Sequence, residues 1–466
     1  MNLKKILALT LAIACLTMLL GGCRATESPA ASGPASGGVT PDTGGTDAAD
    51  NTDETPDSPA GSELPPQTGA VSQGITDTEI LIGTIAITSG YFAFIGQPAY
   101  DGLKACLDRL NAKGGVRGRQ IRLIAYDDQG DIPTGKAYVE KMVEEDKVFA
   151  LASMGGNIVE SSLDYLIDKG IPVVNMLASG DEIYSESNPG SRIFPIIPSY
   201  KLDGAYLATR VLHEAIFGPN KDQKLPDDAK IGVATYINEY EQTILDGLLE
   251  QAALEGATDR FVVETVAGDT AHAAIQKFKD EGCQATILIP LASEWYVSFM
   301  EDAQWEVPLI ASFGSSTIAS YIPDTYREGR PIYATIWSDL NSEKGVALLD
   351  DMMDALSYNP TVDEATRQFY RTQNYCVAGY CYGLTLAAAL DRFNQNPDLD
   401  LTWENFTMLM ESEPFHWGDT SWSYADGRRM GIDTMALFEY LGDPEALTES
   451  FEVIRTFETI EEIMAK

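Results

Sequence analysis

From residue 80 onward, short unbroken apolar runs alternate with longer stretches in which apolar residues recur every three to four positions. Ile80-Leu81-Ile82-Gly83-Thr84-Ile85-Ala86-Ile87 is nearly all apolar, as a parallel strand covered on both faces would be. It passes through Thr88-Ser89-Gly90, a turn, into Leu103, Cys106, Leu107 and Leu110, spaced as one face of a helix. Lys113-Gly114-Gly115 ends that helix, with a cation in its last turn and glycine beyond. The same signals predict strands at 121–126, 148–151 and 171–175 and helices at 133–146 and 158–169. The alternation then restarts, with strands at 231–235, 261–265, 285–289 and 309–311 and helices at 241–256, 270–281 and 293–304. Two runs of strand–helix units predict an α/β fold with two doubly wound parallel sheets. Ligands of such sheets bind outside the carboxyl ends of the strands, where helix N-termini present free N–H groups. With two facing lobes, the cleft between them is the expected site.

The first 73 residues follow a different pattern. Lys4 and Lys5 precede an uncharged apolar run over 6–20, which ends in Leu20-Gly21-Gly22-Cys23. A basic start, a short apolar stretch and small residues before the cut predict a secretory signal over 1–22. The run is short for a membrane span, which needs about 20 residues. The Leu-Gly-Gly-Cys ending resembles a bacterial lipobox, which implies lipidation of Cys23 and an extracytoplasmic protein anchored to the bacterial cell membrane. Residues 24–73 contain no aromatic residue and are dominated by Pro, Gly, Ser, Thr, Ala and Asp. Such a segment cannot bury enough apolar surface to offset its ordering entropy, so 23–73 is expected to be a disordered, lipidated tether. At about 5–6 Å × √n, it would span roughly 40 Å on average.

Charge narrows the class. The chain carries 32 Lys and Arg against 70 Asp and Glu, a formal net charge of −38. A nucleic-acid binder needs a basic face, and so does a protein held to lipid by polybasic attraction, so neither class fits. Only two Lys and one Arg precede residue 74, along with eight acids, so a net −33 belongs to the body at 74–466. At 44% hydrophobic residues, that body can build a substantial core. Six cysteines are too few for a disulfide scaffold.

Several segments of the body resemble the branched-chain amino-acid-binding (leucine/isoleucine/valine-binding-like) family of ABC-transporter substrate-binding proteins, with the type I periplasmic-binding-protein fold. They are Ser89-Gly90-Tyr91-Phe92-Ala93-Phe94-Ile95-Gly96, Leu110-Asn111-Ala112-Lys113-Gly114-Gly115-Val116-Arg117-Gly118-Arg119, Tyr126-Asp127-Asp128, Gly170-Ile171-Pro172-Val173-Val174 and Ser179-Gly180-Asp181-Glu182-Ile183. Ala378-Gly379-Tyr380-Cys381-Tyr382-Gly383 and Tyr424-Ala425-Asp426-Gly427-Arg428-Arg429 extend the resemblance along the tail. It implies two lobes joined by three crossovers, near 198–203, 336–340 and 415–419. The N-terminal lobe would take 74–200 and 338–416, and the C-terminal lobe 201–337 and 417–466. The lobes would close on a small molecule by hinge motion and dock on an ABC permease.

The resemblance also implies site residues. A first-lobe carboxylate site needs free N–H groups and a hydroxyl, which the 153–157 loop (Ser153, Gly156, Asn157) and Leu177-Ala178-Ser179 would supply. Ser89 and Phe92 would line the cleft from the first loop. Tyr240 would cover the ligand from the second lobe, beside Ala292, Ser293 and Glu294. Relatives that bind amino acids place an acid just after the strand equivalent to 309–311, to pair with the ligand ammonium. This chain has Phe313 at or beside that position. Either Glu294, Glu239 or Asp181 substitutes, or the ligand has no ammonium and Phe313 packs against an apolar portion. The expected ligand is a small carboxylate, an amino acid or a related organic acid.

No catalytic constellation, cofactor motif or metal spacing is present. His213, His272 and His416 form no H-E-x-x-H, and there is no G-x-S-x-G elbow or P-loop. Cys106 and Cys283 read as small buried hydrophobes, and Cys376 and Cys381 share a helix at a spacing that suits neither zinc nor a disulfide. Two other readings stay open: a lipoprotein that reports ligand occupancy to a membrane receptor, and a surface hydrolase. The last segment, 446–466, reads as an amphipathic acidic helix, with Phe451, Ile454, Phe457, Ile460 and Ile463 spaced at three.

Overall fold

The computed structural model describes residues 69–466 except 91, 154, 176–180, 185–189, 221, 238, 267–269, 290–293, 314–330, 372–373 and 441–450. The signal segment, Cys23 and most of the tether lie outside the described residues. Residues 70–73, placed in the tether by composition, are bonded to the body. Ser72 Oγ accepts from the Trp403 N–H at 2.9 Å, and Gln73 Nε2 donates to the Val148 carbonyl at 3.0 Å. Their polar side chains satisfy buried backbone groups, which composition alone does not show.

The strand–helix alternation is realised as two sheets. The first has five parallel strands: β1 (Glu79–Ile85), β2 (Gln120–Tyr126), β3 (Ala150–Ser153), β4 (Val173–Asn175) and β5 (Ile193–Pro195), in the order β2-β1-β3-β4-β5. Helices α1 (Ala93–Ala112), α2 (Ile132–Glu144), α3 (Gly156–Ser161) and α4 (Leu163–Lys169) connect them. The helix expected over 158–169 is thus two, broken at Ser162. Helix α5 (Tyr200–His213) then leads to a seven-stranded sheet built on β6 (Lys230–Thr235), β7 (Phe261–Thr265), β8 (Cys283–Leu288), β9 (Leu309–Ala311) and β10 (Ile332–Ile336). Helices α6 (Glu239–Leu254), α7 (Ala271–Asp280) and α8 (Glu294–Asp302) connect these strands. The chain returns to the first sheet with α9 (Glu343–Leu356), α10 (Glu364–Tyr370), α11 (Asn374–Gln395), α12 (Trp403–Ser412) and a hairpin, β11 (Phe415–Trp417) and β12 (Thr420–Trp422). It ends on the second sheet with β13 (Met435–Tyr440), β14 (Phe451–Glu458) and the short α13 (Ile460–Met464).

Both sheets are covered on two faces, as the unbroken apolar strands require. In the first, Ile80 and Ile82 pack with α1, α9 and α11, while Ile85, Leu151 and Val173 pack with α2, α3 and α4. In the second, α7 and α8 lie on one face and α5 and α6 on the other. The predicted helical stripe is the buried face of α1, with Leu103, Cys106 and Leu107 nearly inaccessible. Cys106, Cys283, Cys376 and Cys381 are buried free thiols.

Two expectations are corrected. The 446–466 segment is not a helix: 451–458 is a strand antiparallel to β13, and only 460–464 is helical. Its β-branched and aromatic residues fit a pleated edge, and a three-residue spacing over so short a run does not exclude a strand. The end is held by buried charge. Arg210 on α5 is fully buried and donates to Glu214, to Glu458 at 2.7 Å and to the Met435 carbonyl at 2.8 Å. The third passage between sheets also falls later than 415–419. Trp417 and Trp422 pack edge to face at 4.5 Å inside the first-sheet cluster. Tyr424 donates to the Pro195 carbonyl at 2.7 Å, and the Ile432 N–H to the Ile196 carbonyl at 2.7 Å. The chain therefore leaves the first sheet only between Ile432 and Met435.

Helices α1 and α11 approach closely because Gly102 and Gly379 face each other's backbone. A Cβ on Gly379 would sit 2.0 Å from the Ala99 carbonyl oxygen. Gly379→Val should therefore force these helices apart and cost about 3 kcal/mol, at the upper end of overpacking penalties. Urea denaturation measures this, and a loss under about 1 kcal/mol would show that the contact is easily relieved.

Candidate functional site

In both sheets the residues singled out from sequence follow the carboxyl ends of the parallel strands. Ser89 and Phe92 follow β1, Ser153 ends β3, and Gly156 and Asn157 open α3. Tyr240 lies in the first turn of α6 after β6, Glu294 opens α8 after β8, and Phe313 follows β9. Leu177, Ala178, Ser179, Ala292 and Ser293 lie outside the described residues, as do the side chains of Ser153, Asp181, Glu239 and Glu294.

On the first sheet, the β1–α1 loop is tied to the β2–α2 loop through Asp127. Asp127 accepts from the Ser89 hydroxyl and from the N–H groups of Thr88 and Gln129, both at 3.1 Å. Although burial acts the other way, these donors hold its carboxyl below the usual range. The Ser89 hydroxyl is thus engaged in shaping the loop. Phe92 sits at the N-cap of α1, 43% exposed. Asn157 Oδ1 accepts from the Ile158 N–H at 3.0 Å within the first turn of α3.

On the second sheet, Phe313 and Tyr240 come together through a residue that the sequence reading missed. Tyr200, the first residue of α5, stacks on Phe313 with ring centroids 5.9 Å apart and planes 8° from parallel. Its other side meets Tyr240 edge-on at 5.5 Å. Burial raises the Tyr200 phenol well above its ordinary range, and Tyr240, Asp203, Glu160 and Tyr375 add to the shift. Glu160 comes from α3 and Tyr375 from α11, where it also meets Phe94 of α1 edge-on at 6.2 Å. Phe313 and Tyr240 therefore meet on Tyr200.

Beneath this aromatic wall lies Asp203, fully buried one turn into α5. Its Oδ1 accepts from the Thr335 hydroxyl at 2.6 Å and from the Phe313 N–H at 3.5 Å. The Ser312 hydroxyl also donates to the carboxyl. Its Oδ2 has no hydrogen-bond partner among the described residues. Burial pushes this carboxyl up to about 6, against the pull of those three donors. Ser199 caps α5 by accepting from the Leu202 N–H at 3.0 Å, which places Tyr200 and Asp203 in the first turn. An aromatic and an acid within the expected 198–203 crossover were the signal available in sequence. Among the described residues, no group of three His, Cys, Asp or Glu is gathered as a metal site.

Residues 79–433 match the profile of a family described as periplasmic binding protein. The leucine-specific-binding protein of Salmonella typhimurium is 26% identical over 114 residues, 24% of this chain and 31% of that protein. The match spans about a third of that relative's length. Among solved structures, a fatty acid ABC transporter substrate-binding protein from Thermomonospora curvata has a TM-score of 0.60 at 15% identity, covering 85% of this chain and 96% of that one. An ABC transporter substrate-binding protein from Desulfitobacterium hafniense in complex with Leu has a TM-score of 0.58 at 18% identity, covering 81% and 100%. These structural likenesses establish the fold.

The Asp203 environment gives a stability signature. The carboxyl titrates at 3.8 when unperturbed and at about 6 in the folded protein, so the folded state holds the extra proton between those values. Its raised pKa therefore costs stability as pH climbs through that window, by about 3 kcal/mol in all. Asp203→Asn removes the charge. Its stability relative to wild type should rise by about 2 kcal/mol between pH 4.5 and pH 7.5 in urea denaturation. A difference that does not change with pH would contradict the assignment.

Proposed function

This chain belongs to the periplasmic binding protein family, and on that premise we propose that it is the solute-binding component of an ABC importer. Members of that family bind solutes rather than transform them. In this reading two lobes, one around each sheet, close by hinge motion on a small carboxylate that carries an apolar portion. An α-amino acid is the first candidate, and an aliphatic or aromatic acid the second. The observation that carries the reading is the aromatic cluster in which Tyr200, at the head of the helix that joins the sheets, meets Phe313 and Tyr240 from the loop and helix that follow strands of the second sheet. In this reading the loop that opens α3 would supply N–H groups other than that of Ile158, which Asn157 occupies, and the aromatic wall an apolar surface for the remainder. A relative named for leucine and a structural neighbour named for fatty acid share this ligand chemistry, a carboxylate joined to an apolar tail.

The remaining parts of the reading follow from the sequence. Cys23 would carry the lipid anchor, the segment after it would tether the body to the extracytoplasmic face of the membrane, and an ABC permease would receive the closed form. Net negative charge on the body suits solubility there and does not select the ligand, because backbone N–H groups bind the anion.

Calorimetry against the twenty L-amino acids and a panel of aliphatic and aromatic acids tests the proposal. At least one carboxylate should bind, and its methyl ester should bind about 10- to 100-fold more weakly, the loss expected for charge-assisted hydrogen bonds worth about 1.5–3 kcal/mol. Tyr240→Ala should weaken the same compound about tenfold or more, by removing one face of the wall. Binding confined to neutral or cationic compounds would refute the carboxylate site.

A further inference from the structure

Helix α5 is bonded to each place where the chain passes between the sheets. Its first turn follows the first passage directly. Through Asp203 it holds Thr335, the next-to-last residue of β10, immediately before the second passage. Through Tyr206, whose hydroxyl lies 2.6 Å from the Asp433 carbonyl and 2.7 Å from that of Glu458, it holds the third. The Tyr206 contacts are neutral and partly redundant. The Asp203 contact carries a charge and has no substitute: one oxygen gathers donors from β10 and from the end of β9, and the other has no partner among the described residues.

We propose that Asp203 is a positioning residue for the cleft: its carboxylate holds Thr335 and the Ser312–Phe313 segment to the first turn of α5, fixes Phe313 in its stack with Tyr200, and so sets ligand affinity without touching the ligand. The proposal rests on reading the cleft as a solute site. Full burial keeps Asp203 from direct contact, and the bond from the Phe313 N–H, whose ring stacks on Tyr200, transmits its state to the wall. A charged acceptor makes hydrogen bonds about twice as strong as a neutral one, so protonation loosens the β9 and β10 ends together. The groups facing Asp203 are the Ser312 hydroxyl and Phe313 N–H from β9, Thr335 from β10, and Tyr200 from its own helix. Tyr240 on α6 meets Tyr200 edge-on, and Glu160 on α3 and Tyr375 on α11 add to the electrostatics of its phenol. Among the described residues no cation faces Asp203, and the donors that hold the carboxylate there are neutral. The donors to this buried carboxylate come from the segment that carries Phe313 and from the end of β10, which places it to act on binding.

The test uses wild type, Asp203→Asn and Thr335→Val in the full chain, with L-leucine, L-phenylalanine and isocaproate as calorimetric probes from pH 5 to pH 8.5. If only the charged form is competent, the apparent affinity of wild type falls about tenfold between pH 7.5 and pH 5. Asp203→Asn should be flat with pH and sit at the weak, low-pH level. Thr335→Val removes a donor to the charged form, so it should move the midpoint upward and recover wild-type affinity at pH 8.5, which a packing defect would not do. Hydrogen exchange in the ligand-free protein gives an independent reading. After correction for intrinsic rates, amides at 309–313 and 332–336 should lose protection at pH 5 in wild type and at both pH values in Asp203→Asn. Equal protection in wild type and Asp203→Asn, or an unshifted midpoint in Thr335→Val, overturns the proposal. If none of the three probes binds, that counts against the solute reading alone, and the exchange result decides the role of Asp203.

Discussion

A carboxylate placed in a protein interior must be neutralised, paired or surrounded by donors, and Asp203 is held by the last of these. Its Oδ1 gathers hydroxyl and backbone donors from β9 and β10, which belong to the second sheet, onto the first turn of the helix that arrives from the first sheet. The aromatic stack depends on this arrangement, because the residue whose N–H bonds Asp203 is the residue whose ring packs on Tyr200. The passages depend on it too, since Thr335 is where β10 hands the chain back.

The rest of the architecture supplies a frame that can afford such a site. Each sheet is sandwiched between helices, and the two pairs of faces bury their own apolar clusters. The buried Arg210 with Glu214 and Glu458 then fixes the far end of α5 to the terminal strand. Helix α5 is therefore anchored at its C-terminal end by paired charge and at its N-terminal end by a carboxylate that, among the described residues, is held by neutral donors. In the proposed reading, the paired-charge end stays in place while the Asp203 end responds to protonation or to a bound solute.

Much of the fold was legible in the sequence. Buried strands read as apolar runs, and the α1 stripe of Leu103, Cys106, Leu107 and Leu110 identified its buried face correctly. The misses have physical causes. The break at Ser162 leaves apolar spacing intact on either side, so periodicity does not register it. Phe451, Ile454 and Phe457 form a strand because β13 offers an unpaired edge, and that edge is a tertiary fact. The hairpin at 415–422 stays with the first sheet because Phe415, Trp417 and Trp422 pack into its core cluster and Tyr424 bonds the Pro195 carbonyl, contacts that no linear pattern reveals. The candidate residues after β1, β3, β6 and β9 were named from strand ends and from resemblance, and they do follow those strands. Tyr200 and Asp203 were not named, because their meaning comes from Phe313 and Thr335, 110 and 132 residues from Asp203.

The central claim is that a solute closes the two halves of this body on one another. Spin labels at two exposed positions, Ile167 on α4 of the first sheet and Leu254 at the end of α6 of the second, report that motion directly as a distance distribution. On addition of the mixed L-amino acids and organic acids, the account predicts a shift of the distribution to a narrower, altered distance. A distribution that stays unchanged while a solute binds would contradict it.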